Sequence, residues 1–113
     1  MLLPNAELAE IDPQKLHGYL LSSTHPIGRF KARFFAALGY AAERWQQLEA
    51  DLRSQHLTQD AQPGEPIREG QIYTIRAILK GPAGQFAVVL SVWFLPAAGG
   101  APRFVTAYPG DVK

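Results

Sequence analysis

The chain contains no cysteine, and this absence excludes several kinds of site at once. It rules out a disulfide framework, a thiolate nucleophile and a cysteine-rich metal centre. The lack of disulfides fits a reducing compartment, and we expect a cytoplasmic protein. No apolar run approaches the ~18 residues of a membrane span, and the N-terminal segment lacks the basic region of a signal peptide. The sequence therefore predicts no membrane contact.

The chain also has little net charge and none of the common cofactor or metal motifs. Its 113 residues carry a formal net charge of +1, so no overall field favours a nucleic-acid partner. The three histidines show no metal-ligand spacing, and there is no glycine-rich phosphate loop and no serine-nucleophile motif. We expect neither a metal nor an organic cofactor. The length and the 47% hydrophobic composition predict one small globular domain.

The N-terminal half has the periodicity of helices. Asp12-Pro13 supplies an N-cap followed by a proline at the first helical position, and Gly39 is a natural helix stop. An arm at 1–11, with a weak edge strand near 8–11, precedes this helical half at 12–55. The predicted helices cover about 13–21, from Pro26 to Gly39, and about 41–55.

The C-terminal half changes to the period of two that is typical of strands. A loop at 56–70, rich in proline, glycine and acidic residues, separates the halves, and an antiparallel meander follows at 71–110. Its strands are predicted at 71–80, 85–95 and 103–108. We therefore predict a single α+β domain over 1–113, with three N-terminal helices packed on one face of a three- to four-stranded antiparallel sheet.

One face of this sheet is expected to remain open. The helices should cover the face that carries Tyr73, Ile75, Ala77 and Leu79. The open face is predicted to carry Thr74, Arg76, Ser91, Trp93, Thr106 and Tyr108. Because side chains alternate along a strand, a slip of one residue would move a strand's side chains to the other face.

The segment from Thr24 to Leu38 combines a packing helix with unexpected polar groups. Its predicted apolar stripe comprises Ile27, Phe30, Phe34 and Leu38. Lys31 falls on the apolar side of the helix, where packing alone would favour leucine or alanine. Arg29 and Arg33 share the opposite face, and His25 is held extended by the proline that follows it.

These polar groups suit the metal-independent cleavage of a phosphodiester. A histidine can transfer a proton near neutral pH, and a lysine can stabilise charge on the phosphorane oxygens. RNA supplies its own 2′-OH nucleophile, so the protein needs no serine, cysteine or metal. We predict the catalytic residues His25, Lys31, Thr106 and Tyr108, and the RNA- or phosphate-binding residues Arg29, Arg33, Arg76 and Trp93.

Each of these residues also has a structural explanation. His25 could bond backbone groups at the helix start, and Lys31 could lay its stem over Phe35 with its ammonium in water. Solvated faces or ordinary packing would account for Arg29, Arg33, Trp93, Thr106 and Tyr108. Two further functions therefore stay open: a non-catalytic protein-binding module, and a dimerising domain that buries Trp93 and Phe94.

The sequence at 20–40, LLSSTHPIGRFKARFFAALGY, resembles the HPxGxxKAxxF motif of C-terminal domains in bacterial polymorphic and contact-dependent toxins. Those domains are assigned to the barnase–EndoU–colicin–RelE-like ribonuclease fold. The resemblance implies N-terminal helices followed by an antiparallel sheet, with a site between the second helix and the sheet. On matching positions it implies roles for His25, Lys31 and the hydroxyls of Thr106 and Tyr108.

Nearly the whole chain, from LPNAE through IDPQKL to RFVTAYPG, is also similar to an uncharacterised bacterial domain family of small stand-alone proteins. Because the chain begins at its own methionine without a delivery domain, we do not expect the tail of a giant secreted toxin. We expect a small toxin-type ribonuclease kept with a cognate antitoxin or immunity-type protein, or a domesticated, inactive relative. RNA and that protein are the expected partners.

Overall fold

The computed structural model describes residues 1–110, which form three helices followed by a four-stranded antiparallel sheet. The helices are α1 (Pro13–Lys15), α2 (Gly28–Ala37) and α3 (Trp45–Asp51). Wider π-helical turns extend α1 through Leu16–Leu20 and α3 through Leu52–His56. This confirms the α+β class and the predicted order of helices before strands.

The predicted helix boundaries follow from local hydrogen bonds. The Asp12 carboxylate accepts a hydrogen bond from the Gln14 backbone N–H at 2.9 Å, so Asp12 caps α1. At the end of α2, Gly39 has a φ of 100°, which a residue with a side chain rarely adopts. The N–H of Gly39 donates to the Ala36 carbonyl and that of Tyr40 to the Phe35 carbonyl. This pair of bonds is a Schellman motif.

The sheet contains one strand more than the three located from the sequence. Its strands are β1 (Ala61–Ile67), β2 (Gly70–Lys80), β3 (Phe86–Pro96) and β4 (Arg103–Pro109), in the spatial order β1-β2-β3-β4. The assignment of 56–70 to a loop is therefore wrong at its centre. Pro63 and Pro66 concealed the strand, because proline is tolerated only at sheet edges and bulges, and β1 is an edge strand with an irregular register between these two residues.

The N-terminal arm links the two edges of the sheet. The terminal amine of Met1 pairs with Asp60 just before β1. Farther along the arm, Glu10 makes a single parallel bridge to Arg103 at the start of β4. The edge strand expected near 8–11 is thus reduced to one bridge, and the neighbouring Leu3 and Ile11 are buried in the core.

Strand register settles which side chains face the helices. Across the sheet, Ser91 pairs directly with Ile75 and Trp93 with Tyr73, so each pair shares a face. The prediction that Ser91 and Trp93 lie on the open face is wrong, since both are fully buried. The predicted facing of the β3 side chains was displaced by one residue, which moves every side chain of the strand to the other face. The displacement went undetected because β3 is apolar at nearly every position.

The buried row of the sheet holds a polar network. The Trp93 indole N–H donates to the Ser91 hydroxyl oxygen at 2.9 Å, and this hydroxyl lies 2.8 Å from His56 Nδ1. His56 and Ser91 are both fully buried, and His56 Nε2 has no hydrogen-bond partner among the described residues.

None of the helices within residues 1–110 has the length and apolar character needed to cross a membrane.

Helix α2 packs through a different stripe from the predicted one. Its buried residues are Gly28, Ala32 and Phe35, followed by Leu38 just beyond the helix. Ile27 and Phe30 are both 63% exposed, so the prediction that they pack in the core is wrong. The small residues at 28 and 32 let the helix approach the rest of the fold closely, and this rotates the larger apolar side chains outward.

Candidate active site

The start of α2 is organised by the side chain of His25. Its Nδ1 accepts hydrogen bonds from the backbone N–H groups of Ile27 and Gly28, both at 3.0 Å. Nδ1 is as many bonds from the backbone as an aspartate oxygen, so it serves as an N-cap acceptor. The Arg29 N–H donates to the His25 carbonyl at 3.0 Å and completes the first turn. In the neutral ring, the proton then resides on Nε2, which remains a hydrogen-bond donor.

The close packing around Gly28 explains why the motif has a glycine at this position. A Cβ at this position would lie 2.1 Å from the carbonyl oxygen of Tyr19, a distance that real Cβ atoms do not show. Only glycine therefore allows α2 to approach the backbone of Tyr19. This approach brings the Tyr19 ring to 4.9 Å from the His25 ring in an edge-on arrangement. The motif thus positions a tyrosine that lies outside it.

Lys31 connects α2 to the last strand. Its ammonium donates hydrogen bonds to the Tyr19 hydroxyl oxygen at 2.6 Å and to the Thr106 hydroxyl oxygen at 3.0 Å. The same nitrogen lies 5.9 Å from the centroid of the Tyr108 ring. Lys31, Tyr19 and Thr106 are half-buried, whereas Tyr108 is 36% exposed. We call these four residues and His25 the Lys31 cluster.

The environment of Tyr19 favours loss of its proton. Burial raises the Tyr19 pKa. The hydrogen bonds from Lys31 and Thr106, with the charges of Lys31 and Lys15, lower it by a larger amount, so the net pKa lies below its ordinary value of 10.0. Thr106 accepts from Lys31, which leaves its own hydroxyl proton available to Tyr19. A lowered phenol pKa beside a lysine is typical of sites that handle protons.

Sequence reasoning did not identify Tyr19 as a site residue. It lies in the predicted first helix, three residues after the buried Leu16, and this position alone indicates packing. A usable signal was available, however. A tyrosine on an inward helix face needs a partner for its hydroxyl, and Lys31 was the inward-facing polar group that lacked one.

The structure separates the other predicted binding residues from the Lys31 cluster. Arg29 and Arg33 line a cavity on the opposite side of α2 from Lys31. Arg76 lies exposed in register with Leu90 and Tyr108, and its Nε donates to the Gly110 carbonyl at 3.0 Å. Trp93 is fully buried, so its ring offers no surface to a ligand.

The Lys31 cluster provides one cation, two phenols, a hydroxyl and an imidazole N–H around a single edge of the sheet. Such a set can bind an oxyanion and exchange a proton with it. Among residues 1–110, no group of three or more histidine, aspartate or glutamate side chains is placed to hold a metal ion.

The chain belongs to the family described as Domain of unknown function (DUF6883), which it matches over residues 2–111. No curated protein matches the chain. Among solved structures, a chain of the contact-dependent growth inhibition toxin–immunity protein complex from Klebsiella pneumoniae 342 is similar, with a TM-score of 0.57 and 18% identity over 95% of this chain and 97% of that one. At this identity, the likeness shows that a member of DUF6883 shares its fold with that chain.

Proposed function

We propose that this protein is a small, metal-independent ribonuclease of bacterial toxin type that cleaves RNA by attack of the 2′-OH on the adjacent phosphate. The observation that carries the proposal is the convergence of Lys31, Tyr19, Thr106 and Tyr108 at the β4 edge. The similar fold of a chain from a toxin–immunity complex supports the toxin class. An ammonium bonded to the hydroxyls of Tyr19 and Thr106, with the Tyr108 ring 5.9 Å away, is an arrangement that packing alone does not require.

In this mechanism the two phenols move the protons. Tyr19, with its lowered pKa, takes the 2′-OH proton as a phenolate while the 2′ oxygen bonds to phosphorus. The bond from phosphorus to the 5′ oxygen breaks, and the departing oxygen receives the Tyr108 phenol proton. The products are a 2′,3′-cyclic phosphate and a 5′-hydroxyl. Transfer of a proton back from Tyr19 to Tyr108 through water restores the site.

Lys31 and His25 would stabilise charge rather than carry protons. The Lys31 ammonium faces the position of the phosphorane oxygens, where negative charge develops. His25 Nδ1 is occupied by two backbone donors, so proton uptake there would break the helix cap. Its Nε2–H can instead donate a hydrogen bond to a phosphate oxygen, which revises the role of proton carrier first assigned to His25.

The experiment is RNA cleavage by the purified protein in the presence of EDTA. We expect cleavage to persist and its products to carry cyclic phosphate ends. Tyr19→Phe should lower the rate by about 10²–10⁴, the usual contribution of a positioned general base. Intact RNA at high protein concentration would overturn the proposal, and so would a Tyr19→Phe protein with the wild-type rate.

A non-catalytic protein-binding module is the second candidate, favoured by the uncovered face of the sheet. Ile78 is 59% exposed and Phe86 is 65% exposed on β2 and β3. Large exposed apolar side chains of this kind often mark a protein interface. A cognate immunity-type protein would be the partner, by analogy with the toxin–immunity complex. Self-association through Trp93 has no support, because that ring is fully buried.

A further inference from the structure

The cavity that Arg29 and Arg33 line lies across α2 from the Lys31 cluster. It has a volume of about 580 Å³, and its walls come from α2, from the segment before it and from the residues that follow Gly39. Small side chains leave the space open, among them Ala32, Ala36 and Ala42. The residues with polar groups that line it are His17, Ser22, Ser23, Thr24, Arg29, Arg33, Tyr40 and Glu43.

The charge of this lining is predominantly positive. Arg29 and Arg33 stand one turn apart on α2, and Glu43 supplies the one carboxylate of the lining. Within residues 1–110, neither guanidinium has a carboxylate within ion-pair distance. The Arg29 guanidinium instead lies 4.7 Å from the centroid of the Phe30 ring. Two exposed arginines without acidic partners, beside three hydroxyls, match the hydrogen-bonding needs of a phosphate.

The exposed ring of Phe30 adds a second recognition element. It is 63% exposed at the rim of the same cavity and is flanked by a guanidinium. Exposed aromatic rings beside arginines are the usual stacking surfaces for unpaired bases. An apolar side chain at this helix position would otherwise be expected to pack, as the sequence itself predicted. The cavity therefore offers a phosphate site and a stacking surface together.

We infer that this cavity binds a flanking nucleotide of single-stranded RNA, with its phosphate on Arg29 and Arg33 and its base against Phe30. The inference rests on the proposed function, because it identifies the substrate as a single strand long enough to occupy both sides of α2. The α-helix is about 10–12 Å across with its side chains, so one nucleotide cannot fill both positions. The strand would pass over the exposed Pro26-Ile27 turn.

The first test measures binding of a 2′-O-methyl RNA hexanucleotide, which lacks the attacking hydroxyl and needs no activity for its detection. We expect Arg29→Gln/Arg33→Gln to weaken binding at low salt and to reduce the slope of log K against log salt by about 0.7, the value for the one phosphate that the two arginines would share. Arg68→Gln, at an exposed arginine outside the cavity, is the matched control and should leave the slope unchanged. An unchanged slope in the double variant would overturn the inference.

The second test fills the cavity without changing any charge. Ala36 lines the cavity and Ala37 does not, yet both are exposed in α2, and leucine is well tolerated in helices. We expect Ala36→Leu to weaken hexanucleotide binding at least about tenfold, which corresponds to about 1.4 kcal/mol, because the leucine would occupy the space of the nucleotide. Ala37→Leu should leave binding unchanged. Equal binding by both variants would contradict the inference.

These measurements separate the failure of the inference from the failure of the proposed function. If the protein binds the hexanucleotide through this cavity but does not cleave unmodified RNA, the ribonuclease proposal falls and the nucleotide site stands. If it cleaves RNA while the arginine and Ala36 variants bind normally, the nucleotide site falls and the ribonuclease proposal stands. Thermal unfolding of each variant shows whether its fold is intact.

Discussion

Two polar clusters in this molecule use similar side chains in opposite environments. The network of His56, Ser91 and Trp93 is fully buried against the sheet, whereas Lys31, Tyr19 and Thr106 are half-buried at the β4 edge. The first contains no charge at neutral pH. The second contains an ammonium with two hydrogen-bond partners and a solvent-accessible side.

The difference shows how burial decides between structure and chemistry. Burial lowers the His56 pKa to about 4, and the favourable effect of the Ala77 backbone on the protonated ring offsets only part of this shift. A histidine that stays neutral cannot exchange protons near pH 7, so this one serves packing. In the half-buried Lys31 cluster, burial raises the Tyr19 pKa, but the hydrogen bonds and nearby charges outweigh it and lower that pKa overall. Partial exposure is therefore what makes the Lys31 cluster the better candidate for function.

After Tyr19→Phe, the largest expected effect comes from Lys31→Met. The methionine preserves the apolar stem of the lysine, so the free energy of unfolding should change by only about 1 kcal/mol in either direction. The rate of RNA cleavage should fall by about 10²–10³, the typical cost of losing one preorganised charge contact. Thermal unfolding and RNA cleavage measured on the same preparation check both parts.

Lys80→Met is the matched control for this prediction. Lys80 also lies near an aromatic ring, 5.4 Å from the centroid of Phe86, but at the β2–β3 hairpin. The Lys80→Met variant should retain full cleavage activity. Lys31→Arg should restore only part of the rate, because the planar guanidinium cannot reproduce the ammonium geometry. A stable, fully active Lys31→Met protein would reduce the Lys31 cluster to packing.

The second effect is a loss of stability in acid that originates at His56. The unfolded chain takes up a proton at this histidine near its ordinary pKa of 6.5, whereas the folded protein resists protonation until about pH 4. Stability from this group is complete above pH 6.5 and declines as the pH falls through that interval. The total is roughly 3 kcal/mol, since each unit of pKa corresponds to about 1.4 kcal/mol.

Denaturant titrations between pH 4 and 7 measure this decline. Carboxylates also titrate in this range, so the informative quantity is the difference from His56→Gln. That variant should be less stable at pH 7 but should show a shallower decline towards acid. His17→Gln, at a half-exposed histidine, should keep the wild-type slope. Parallel curves for the wild type and His56→Gln would show that His56 does not cause the acid dependence.

A smaller effect is expected from Gly28→Ala, which should lower both the stability of the protein and its rate of RNA cleavage. The added methyl group would collide with the carbonyl of Tyr19 and push α2 away from it. Overpacking of this kind typically costs about 1–3 kcal/mol. Because Lys31 and Tyr19 are 2.6 Å apart, even a small separation should also lower cleavage. Gly64→Ala, which meets only an ordinary contact at 3.6 Å, is the control. Equal stability of the two variants would contradict the explanation.

Much of the fold could be predicted because its signals are local. Capping at Asp12, the stop at Gly39 and the period of β2 each depend on a few neighbouring residues. Strand β1 could not be predicted, because its prolines and its glycine are typical of a loop. Only its pairing with β2 shows that it is a strand. The face of β3 was missed for a related reason: where both faces are apolar, alternation carries no information.

The candidate site was only partly predictable. The position of Lys31 on the inward face of α2 pointed to a polar partner, and the structure places Thr106 there. Tyr19 was missed because its approach depends on the absent side chain of Gly28, and its own segment signals no more than a hydroxyl that needs a partner. The sequence placed Arg29 and Arg33 on the face of α2 opposite Lys31 but assigned all three residues to one phosphodiester site, whereas the structure places the two arginines at a separate cavity.

The smallest expected change in stability concerns His25, where capping and chemistry can be separated. His25→Ala removes the acceptor for two backbone N–H groups and should cost about 1 kcal/mol, as other N-cap deletions do. His25→Asn places a side-chain oxygen at the same distance along the chain, so the cap and most of that stability should return. Asparagine cannot, however, supply the Nε2–H of the imidazole ring. If His25 contributes only the cap, His25→Asn should cleave RNA at the wild-type rate while His25→Ala is merely less stable. If Nε2–H binds phosphate, both variants should lose activity to a similar extent although only one loses stability. Cleavage rates and unfolding midpoints of the two proteins therefore decide between the two roles.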